Sequence, residues 1–349
     1  MKYKKVSLSD IAEMLGVSKA LVSIVLNGKG DENGISKATQ EKVLKLAEEL
    51  NYKPNQFARG LKIGKSNTIG LVVSDISNQF YSKIARYIED YCISEDYNLI
   101  ICNTDENEEK EKKVIETILE KQIDGIILSS ASENSNNLFK LQNENIPFIL
   151  IDRKFSSFPC HYVVIDNFKA AQEATQYLIE QGHKKIACFT VSPSHISSQV
   201  DRFLGYKEAI NNNSFINYND FYYKTIDRYK MYNSILNIFR DWSNNKVMPS
   251  AILSANYQIT LTILEVCREI NIKIPNDLSI VSFDDIDVFR FTTPTITAVV
   301  QPLESYAKYA TENLIKLIKS FKINEEQKEF IQIKLDANLV LRDSVVKYN

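Results

Sequence analysis

Apolar positions over residues 7–16 recur at helical spacing, and Gly16 can take the left-handed conformation that ends such a helix. Ser18 can then cap a second helix over residues 19–26, and a third helix is predicted over about 36–50. Two short helices separated by about three residues that include a glycine form a helix-turn-helix. The pattern therefore predicts a small three-helix head.

After residue 68, short and continuous apolar runs alternate with helical stretches. Such strands, separated by helices, are typical of parallel sheets that are covered on both faces. The alternation restarts after residue 165, which predicts two similar, doubly wound α/β subdomains. The predicted strands are residues 69–73, 99–102, 125–128, 148–151, 163–165, 185–189, 251–253 and 279–283.

Domain boundaries follow from these patterns and from Pro54, which ends the third helix. The eight residues after Pro54 are predicted to form a helix that is too short to be stable alone in water. The predicted domains are a head (1–53), a hinge helix and linker (54–66) and a core (67–343). The first subdomain of the core is predicted to hold residues of about 67–164 and 302–323. The second is predicted to hold residues of about 165–301 and 324–343.

Charge is distributed unevenly along the chain. Residues 1–65 hold twelve Lys and Arg against seven Asp and Glu, whereas the other 284 residues hold thirty against thirty-seven. A basic head on an acidic body favours contact between the head and a polyanion such as nucleic acid. There is no apolar run of membrane-spanning length and no secretory signal, so we expect a cytoplasmic protein.

Motifs for catalysis and for metal binding are missing from the sequence. It contains no G-x-G-x-x-G, P-loop or H-E-x-x-H motif, and its three histidines are isolated. The five cysteines form no C-x-x-C pair, which argues against a zinc site or a disulfide framework. We therefore expect neither an enzyme nor a cofactor nor a metal site.

The head resembles that of the lactose/galactose-repressor family of bacterial transcription regulators, and the resemblance extends from about Val6 to Asp343. The matching segments read Leu8-Ser9-Asp10-Ile11-Ala12, Gly16-Val17-Ser18, Val22-Ser23, Val25-Leu26-Asn27-Gly28, Ile35-Ser36, Thr39, Lys42-Val43, Ala47, Leu50-Asn51-Tyr52 and Pro54-Asn55. The resemblance implies a periplasmic sugar-binding fold for the core, with a ligand in its cleft and closure of the cleft around that ligand.

The resemblance also implies DNA contacts in a major groove. It implies base-reading roles for Lys19, Ala20 and Ile24. It places near phosphates Ser18, Ser23, Asn27, Tyr52 and Asn55. In the family, a hinge leucine wedges into the minor groove, which implies that role for Leu61; the alternative is a linker residue that packs on the core.

Two head residues depart from the family pattern. Ile24 stands where many members have arginine, and it can either touch a thymine methyl group or pack against the head. Leu21 stands where threonine is usual. Both departures leave the operator sequence open.

Ligands of parallel sheets meet residues at the carboxyl ends of strands. The resemblance assigns effector contacts to Asp152, Arg202, Asn256, Asp284 and Gln301, and the pocket wall to Asn78 and Phe80. This set suits a polyhydroxylated ligand, although each polar member could instead be a helix cap or part of a surface ion pair. Tyr257 departs from a common aspartate, which leaves the ligand's identity open.

The resemblance implies a homodimeric repressor whose affinity for a palindromic operator changes when a small, carbohydrate-like effector binds. Regulation by a corepressor or by a partner protein is a second possibility. A transport-associated sugar-binding protein without DNA function is the alternative from another class; the head and the missing signal peptide argue against it.

Overall fold

The computed structural model describes residues 6–52, 65–192, 196–216, 219, 222–321 and 329–348. The chain divides into two compact units, residues 1–66 and 67–349. Two residues with predicted DNA contacts, Asn55 and Leu61, lie outside the described residues.

The first unit contains the three predicted helices, α1 (Leu8–Leu15), α2 (Lys19–Leu26) and α3 (Lys37–Glu49). Gly16 ends α1 at φ 63°, and the hydroxyl of Ser18 accepts a hydrogen bond from the backbone N–H of Leu21 at the start of α2. These two caps set the turn between the helices. The buried apolar side chains of the head are Ile11, Ala12, Val22, Val25, Val43 and Ala47.

The second unit is built on two six-stranded sheets of the same strand order. The first sheet runs β2-β1-β3-β4-β5-β11, and its neighbouring strands are all parallel. Its strands are β1 (Thr68–Val73), β2 (Asn98–Asn103), β3 (Gly125–Leu128), β4 (Phe148–Ile151), β5 (Tyr162–Ile165) and β11 (Gln332–Leu335).

The second sheet runs β7-β6-β8-β9-β10-β12 and is parallel except for the antiparallel pair of β10 and β12. Its strands are β6 (Ile186–Val191), β7 (Tyr223–Ile226), β8 (Ala251–Ser254), β9 (Ser279–Phe283), β10 (Thr297–Val300) and β12 (Asn338–Val340).

Helices cover both faces of each sheet, as the continuous apolar strands predict. These helices are α4 (Gln79–Ser94), α5 (Glu108–Glu120), α6 (Asn136–Asn143), α7 (Asn167–Glu180), α8 (Ser197–Asn211), α9 (Met231–Asn244), α10 (Tyr257–Glu269) and α11 (Leu303–Phe321). On the first sheet, α4 and α11 cover one face, and α5 and α6 cover the other. On the second sheet, α7 and α8 cover one face, and α9 and α10 cover the other.

The C-terminal segment departs from its predicted place in the second subdomain. Within the predicted span 324–343, β11 pairs in parallel with β5 of the first sheet, and only β12 joins the second sheet. The prediction was wrong for β11 because an edge strand with alternating exposure carries little sign of which sheet it joins. The core also continues past residue 343, since buried Ser344 donates a hydrogen bond to the carbonyl of Ile280 (2.6 Å).

Several isolated residues have structural roles. His183 is 1% exposed, and its ring lies within hydrogen-bond distance of the Ser250 hydroxyl and the Val346 carbonyl. The five cysteines are free thiols. Among the described helices, none combines the length and the apolar character needed to cross a membrane.

The contact between α7 and α8 leaves no room for a side chain at Gly205. A Cβ atom there would lie 2.1 Å from the carbonyl oxygen of Phe168. Such overpacking costs about 1–3 kcal/mol, and the upper end applies because a backbone atom cannot rotate away. The higher helix propensity of alanine relative to glycine offsets about 1 kcal/mol of this cost. We therefore expect Gly205→Ala to lower the free energy of unfolding by about 2 kcal/mol in urea titrations.

The matched control is Leu204→Ala, which truncates a side chain that is 44% exposed on the same helix. Truncation of an exposed side chain should change the free energy of unfolding by less than about 1 kcal/mol. Equal losses in the two variants would show that the close approach of α7 and α8 does not limit stability.

Candidate functional site

The second helix of the head presents small and polar side chains to solvent. Ser18, Lys19, Ala20 and Asn27 are exposed, and Ser23 is half-buried. The amide nitrogen of Asn27 donates to the carbonyl of Ser23 (2.7 Å), which fixes its orientation at the end of the helix. The predicted reading face is thus a continuous surface on one side of α2.

The apolar residues of α2 divide into two groups. Leu21 packs against the buried cluster of the head, so its departure from threonine adds to the hydrophobic core. Ile24 is half-buried but does not belong to that cluster, which favours a role on the outer face over a packing role. Tyr52 packs against the cluster with its ring and is half-buried.

In the second unit, a cleft lies at the carboxyl ends of strands from both sheets. Asp75 follows β1, and Asp152 follows β4 in the first sheet; Asn256 follows β8, and Asp284 follows β9 in the second. Parallel strands bring their carboxyl ends to one edge, so the two sheets direct polar loops into the same space.

One pocket in this cleft brings together every residue for which an effector contact or a place in the pocket wall was predicted. The residues that line it include Asn78, Phe80, Asp152, Arg202, Asn256, Asp284 and Gln301. They come from six different places in the chain between residues 78 and 301, since Asn78 and Phe80 both lie at the start of α4. The structure therefore supports the grouping of these residues.

Two aspartates occupy equivalent positions in the two subdomains. Asp152 and Asp284 both adopt left-handed backbone conformations, with φ of 63° and 68°. The Tyr81 hydroxyl donates to Asp152 (2.8 Å), and the Gln301 amide donates to Asp284 (2.5 Å). Burial raises the pKa of Asp284, and the charge of Arg202 and the bond from Gln301 only partly oppose that effect.

Arg202 is 4% exposed and lies in the second turn of α8. Its Nε donates to the side-chain oxygen of Asn167 (2.8 Å), and its Nη1 donates to the carbonyl of Ala255 (2.5 Å). The guanidinium also lies over the ring of Phe283, 4.2 Å from its centroid. These three contacts hold one edge of a forked donor in the cleft.

The two asparagines are helix caps as well as pocket residues. Asn78 accepts a hydrogen bond from the backbone of Phe80 (2.9 Å), and Asn256 accepts one from the backbone of Ile259 (2.9 Å). Each cap uses the amide oxygen, so the amide nitrogen is the group that can meet a ligand. Phe80 is 8% exposed and contributes an aromatic edge to the wall.

Sequence profiles of known families match both units. The profile described as bacterial regulatory proteins, lacI family, matches residues 7–55, and that of the periplasmic binding protein-like domain matches residues 175–345. The HTH-type transcriptional regulator KdgR of Bacillus subtilis (strain 168) is 32% identical over 342 residues, which cover 97% of each chain. The chain belongs to the lacI family.

Solved structures show the same architecture. The lac repressor dimer bound to operator and the anti-inducer ONPF superimposes with a TM-score of 0.84 at 22% identity, over 98% of this chain and all of that one. The complex of the transcriptional regulator CelR with cellobiose has a TM-score of 0.71 at 25% identity, over 97% of this chain and 99% of that one.

Family membership establishes the class of function. The chain is a DNA-binding transcription regulator with a helix-turn-helix head. Its relatives are transcription regulators and not enzymes, which agrees with the expectation drawn from the missing catalytic motifs.

Tyr257, which departs from the aspartate common in the family, forms a contact across the cleft. Its hydroxyl accepts a hydrogen bond from the backbone N–H of Gln79 at the start of α4 (3.2 Å). The side chain is 6% exposed and packs with Ile286 and Phe289 of the second subdomain. Tyr257 therefore forms a bridge between the two subdomains.

Sequence reasoning missed four charged residues of the pocket, one of which is Asp75 after β1. Glu106 follows β2, Arg153 follows Asp152, and Arg228 follows β7. Position after a predicted strand could have identified Asp75, Glu106 and Arg153, by the same rule that selected Asp152. Arg228 had no such signal because β7 was not among the predicted strands.

The buried carboxylate of Asp284 should make stability depend on pH. The pKa of Asp284 is higher in the folded state than its ordinary value of 3.8. Between these two pKa values the folded state binds more protons than the unfolded state, so the free energy of unfolding falls as the pH rises through this window. Asp284→Asn removes this titration and keeps an oxygen for Gln301. We therefore expect the variant to have a higher Tm than the wild type at pH 7, and the gain to shrink at pH 4.

Thermal unfolding in the absence of ligand, from pH 4 to pH 7.5, measures this difference. Asp343→Asn is the control, since Asp343 is an exposed surface carboxylate that accepts a hydrogen bond from the Thr295 hydroxyl. A gain for Asp284→Asn that does not vary with pH would contradict the assignment of a raised pKa.

Proposed function

We propose that the protein is a homodimeric repressor whose affinity for a palindromic operator changes when a carbohydrate-like effector binds in the cleft. The observation that carries this proposal is the convergence of all seven predicted contact residues on one pocket. A regulator that reads DNA acts where the DNA is, so the proposal includes a cytoplasmic location.

The chemistry of the pocket supports a polyhydroxylated ligand. Carboxylates of Asp152 and Asp284 accept hydrogen bonds from hydroxyl groups, and Arg202 donates to ring or hydroxyl oxygens. The oxygen Oε1 of Gln301 is buried and has no hydrogen-bond partner among the described residues, so it is available as a further acceptor. A related regulator of 25% identity was solved as a complex with cellobiose.

Effector binding requires the cleft to widen. The central space measures about 50 Å³, which is well below the roughly 300–1,000 Å³ of typical small-molecule sites. Contacts across the cleft narrow it: the backbone of Lys154 donates to the Ser197 hydroxyl (2.9 Å), and Lys83 pairs with Asp287 (3.2 Å). We propose hinge opening and closure around the effector as the event that changes operator affinity.

The proposal assigns DNA contacts to the outer face of α2. Lys19, Ala20 and Ile24 would meet base edges, with Ser18, Ser23, Asn27, Tyr52 and Asn55 near phosphates and Leu61 in the minor groove. A head with one eight-residue reading helix covers a short site, so two heads on two half-sites supply the specificity.

The first test of this proposal concerns electrostatics. Lys19→Glu places a negative charge on the exposed start of α2, so affinity for any duplex should fall by about tenfold or more, because the like charges of carboxylate and phosphate repel. Fluorescence anisotropy on the protein's own promoter region and on random DNA, between 50 and 200 mM salt, measures it.

The control is Lys112→Glu, which makes the same charge change at an exposed position on α5 in the second unit. It should leave affinity nearly unchanged. Wild-type affinity that is flat across the salt range, or equal losses in both variants, would contradict DNA binding through α2.

The second test concerns the response to effector. Arg202→Ala should bind operator normally but lose roughly 2–5 kcal/mol of effector affinity, because ligand oxygens lose their donor and the Asp284 carboxylate loses a neighbouring positive charge. Operator affinity is measured with and without a sugar found by thermal-shift screening. Permanent repression in the variant indicates an inducer, and permanent release indicates a corepressor.

Arg202→Lys serves as a second variant because it keeps the charge but not the forked donor, and it should respond only weakly. Arg268→Ala removes an exposed arginine from α10 and should respond as the wild type does. A normal response of Arg202→Ala at the wild-type effector concentration would remove Arg202 from the effector site.

A further inference from the structure

Three of the charged pocket residues that sequence reasoning missed form one ion-pair cluster, in which Glu106 and Arg153 are buried. Arg153 binds Glu106 through two parallel hydrogen bonds of 2.7 and 2.6 Å, and Arg228 reaches the same carboxylate at 3.0 Å. The side chains of Glu106 and Arg153 are 8% and 10% exposed. One carboxylate thus holds two guanidiniums at the wall of the pocket.

This cluster spans both subdomains. Glu106 and Arg153 follow strands of the first sheet, whereas Arg228 lies in a short 3-10 helix after β7 of the second. Burial would raise the pKa of Glu106, but the charges and hydrogen bonds of Arg153 and Arg228 hold that pKa below its ordinary value. Glu106 is therefore ionised at neutral pH and neutralises its partners in place.

The other nitrogens of Arg153 also face acceptors of the protein, although its buried Nε has no hydrogen-bond partner among the described residues. Its Nη1 donates to the carbonyl of Ser130 (2.9 Å), and its Nε faces the carboxylate of Asp152 at 3.6 Å. Arg202 has neutral hydrogen-bond partners, but its charge acts on Asp284 beside it. Each guanidinium at this pocket therefore already has a carboxylate of the protein in contact with it or acting on its charge.

The described residues that line the pocket carry no net positive charge. They include four carboxylates, namely Asp75, Glu106, Asp152 and Asp284. They include three guanidiniums, namely those of Arg153, Arg202 and Arg228. The net charge is negative with Asp284 ionised and zero with Asp284 protonated, so a buried anion would find no excess of positive charge to compensate for the water it loses.

We infer that Glu106, through its hold on Arg153 and Arg228, makes the cleft selective for uncharged sugars over sugar acids. This inference rests on the proposed carbohydrate effector and deepens it. An uncharged sugar donates hydroxyl groups to Asp152, Asp284 and the free oxygen of Gln301 and adds no charge. A carboxylate on the same sugar must compete with Glu106 for its guanidiniums and is repelled by the other aspartates.

The test uses matched pairs of ligands on the full-length protein. Neutral sugars are compared with their own acids: glucose with glucuronate, galactose with galacturonate, and xylose with xylonate, with cellobiose as a larger neutral probe. Thermal shift identifies binders, and isothermal titration gives the ratio of the acid Kd to the neutral Kd. This ratio reports selectivity, because an effect on cleft closure alone changes both constants together.

The wild type should bind at least one neutral sugar about tenfold or more tightly than its acid. Glu106→Gln keeps the size of the side chain and an oxygen acceptor but raises the net charge of the pocket by one. The ratio should therefore fall by about tenfold or more. The control Glu116→Gln removes an exposed carboxylate that pairs with Lys140 on the surface, and it should leave the ratio unchanged.

Arg228→Gln changes the net charge of the pocket in the opposite direction. It is a second test that remains informative even if Glu106→Gln does not fold. It removes one guanidinium and makes the pocket more negative, so the ratio should rise. Wild-type protein that binds an acid as tightly as its parent sugar would overturn the inference. A ratio that does not change in Glu106→Gln, or that changes equally in Glu116→Gln, would overturn the role of Glu106. If no sugar of either class binds, the carbohydrate effector itself is wrong.

Discussion

Two sheets that meet at the carboxyl ends of their parallel strands concentrate charged groups in one narrow space, and the rest of the core depends on how those groups are paired. Each strand end supplies a loop whose polar atoms leave water when the cleft is narrow. A buried charge without a partner costs several kcal/mol, so the loops must carry their own counter-ions. The pairing of charges, more than the shape of the cleft, decides what the cleft can accept.

The two subdomains solve this problem in the same way. In each, an aspartate with a left-handed backbone follows a central strand, and the next residue forms a forked arginine–carboxylate pair. Arg153 binds Glu106 in the first subdomain, and Asp285 binds Arg342 with two bonds of 2.8 and 2.7 Å in the second. These pairs fix the loops, so Asp152 and Asp284 are held toward the cleft from opposite sides.

The sequence predicted the central strands within one or two residues, because each is a continuous apolar run between helices. It missed the edge strands β7, β11 and β12, since strands whose side chains are only partly buried lack that signal, and it also missed the buried strand β10. The pocket residues were predicted partly from their position at strand ends and partly from the family resemblance. Neither argument predicted Arg228, because it follows the strand β7, which was not predicted. Its contact with Glu106 arises only from tertiary structure.

The combination of the two units distinguishes a regulator from a transport-associated sugar-binding protein. A transport protein needs the cleft but gains nothing from a capped helix-turn-helix whose outer face is exposed, small and polar. Among the described residues of the head, six apolar side chains are buried, which is a small core for a domain of its length. A unit with so small a core is well suited to a role in which contact with DNA adds to its stability. The cleft alone would fit either class, and the surface of α2 decides between them.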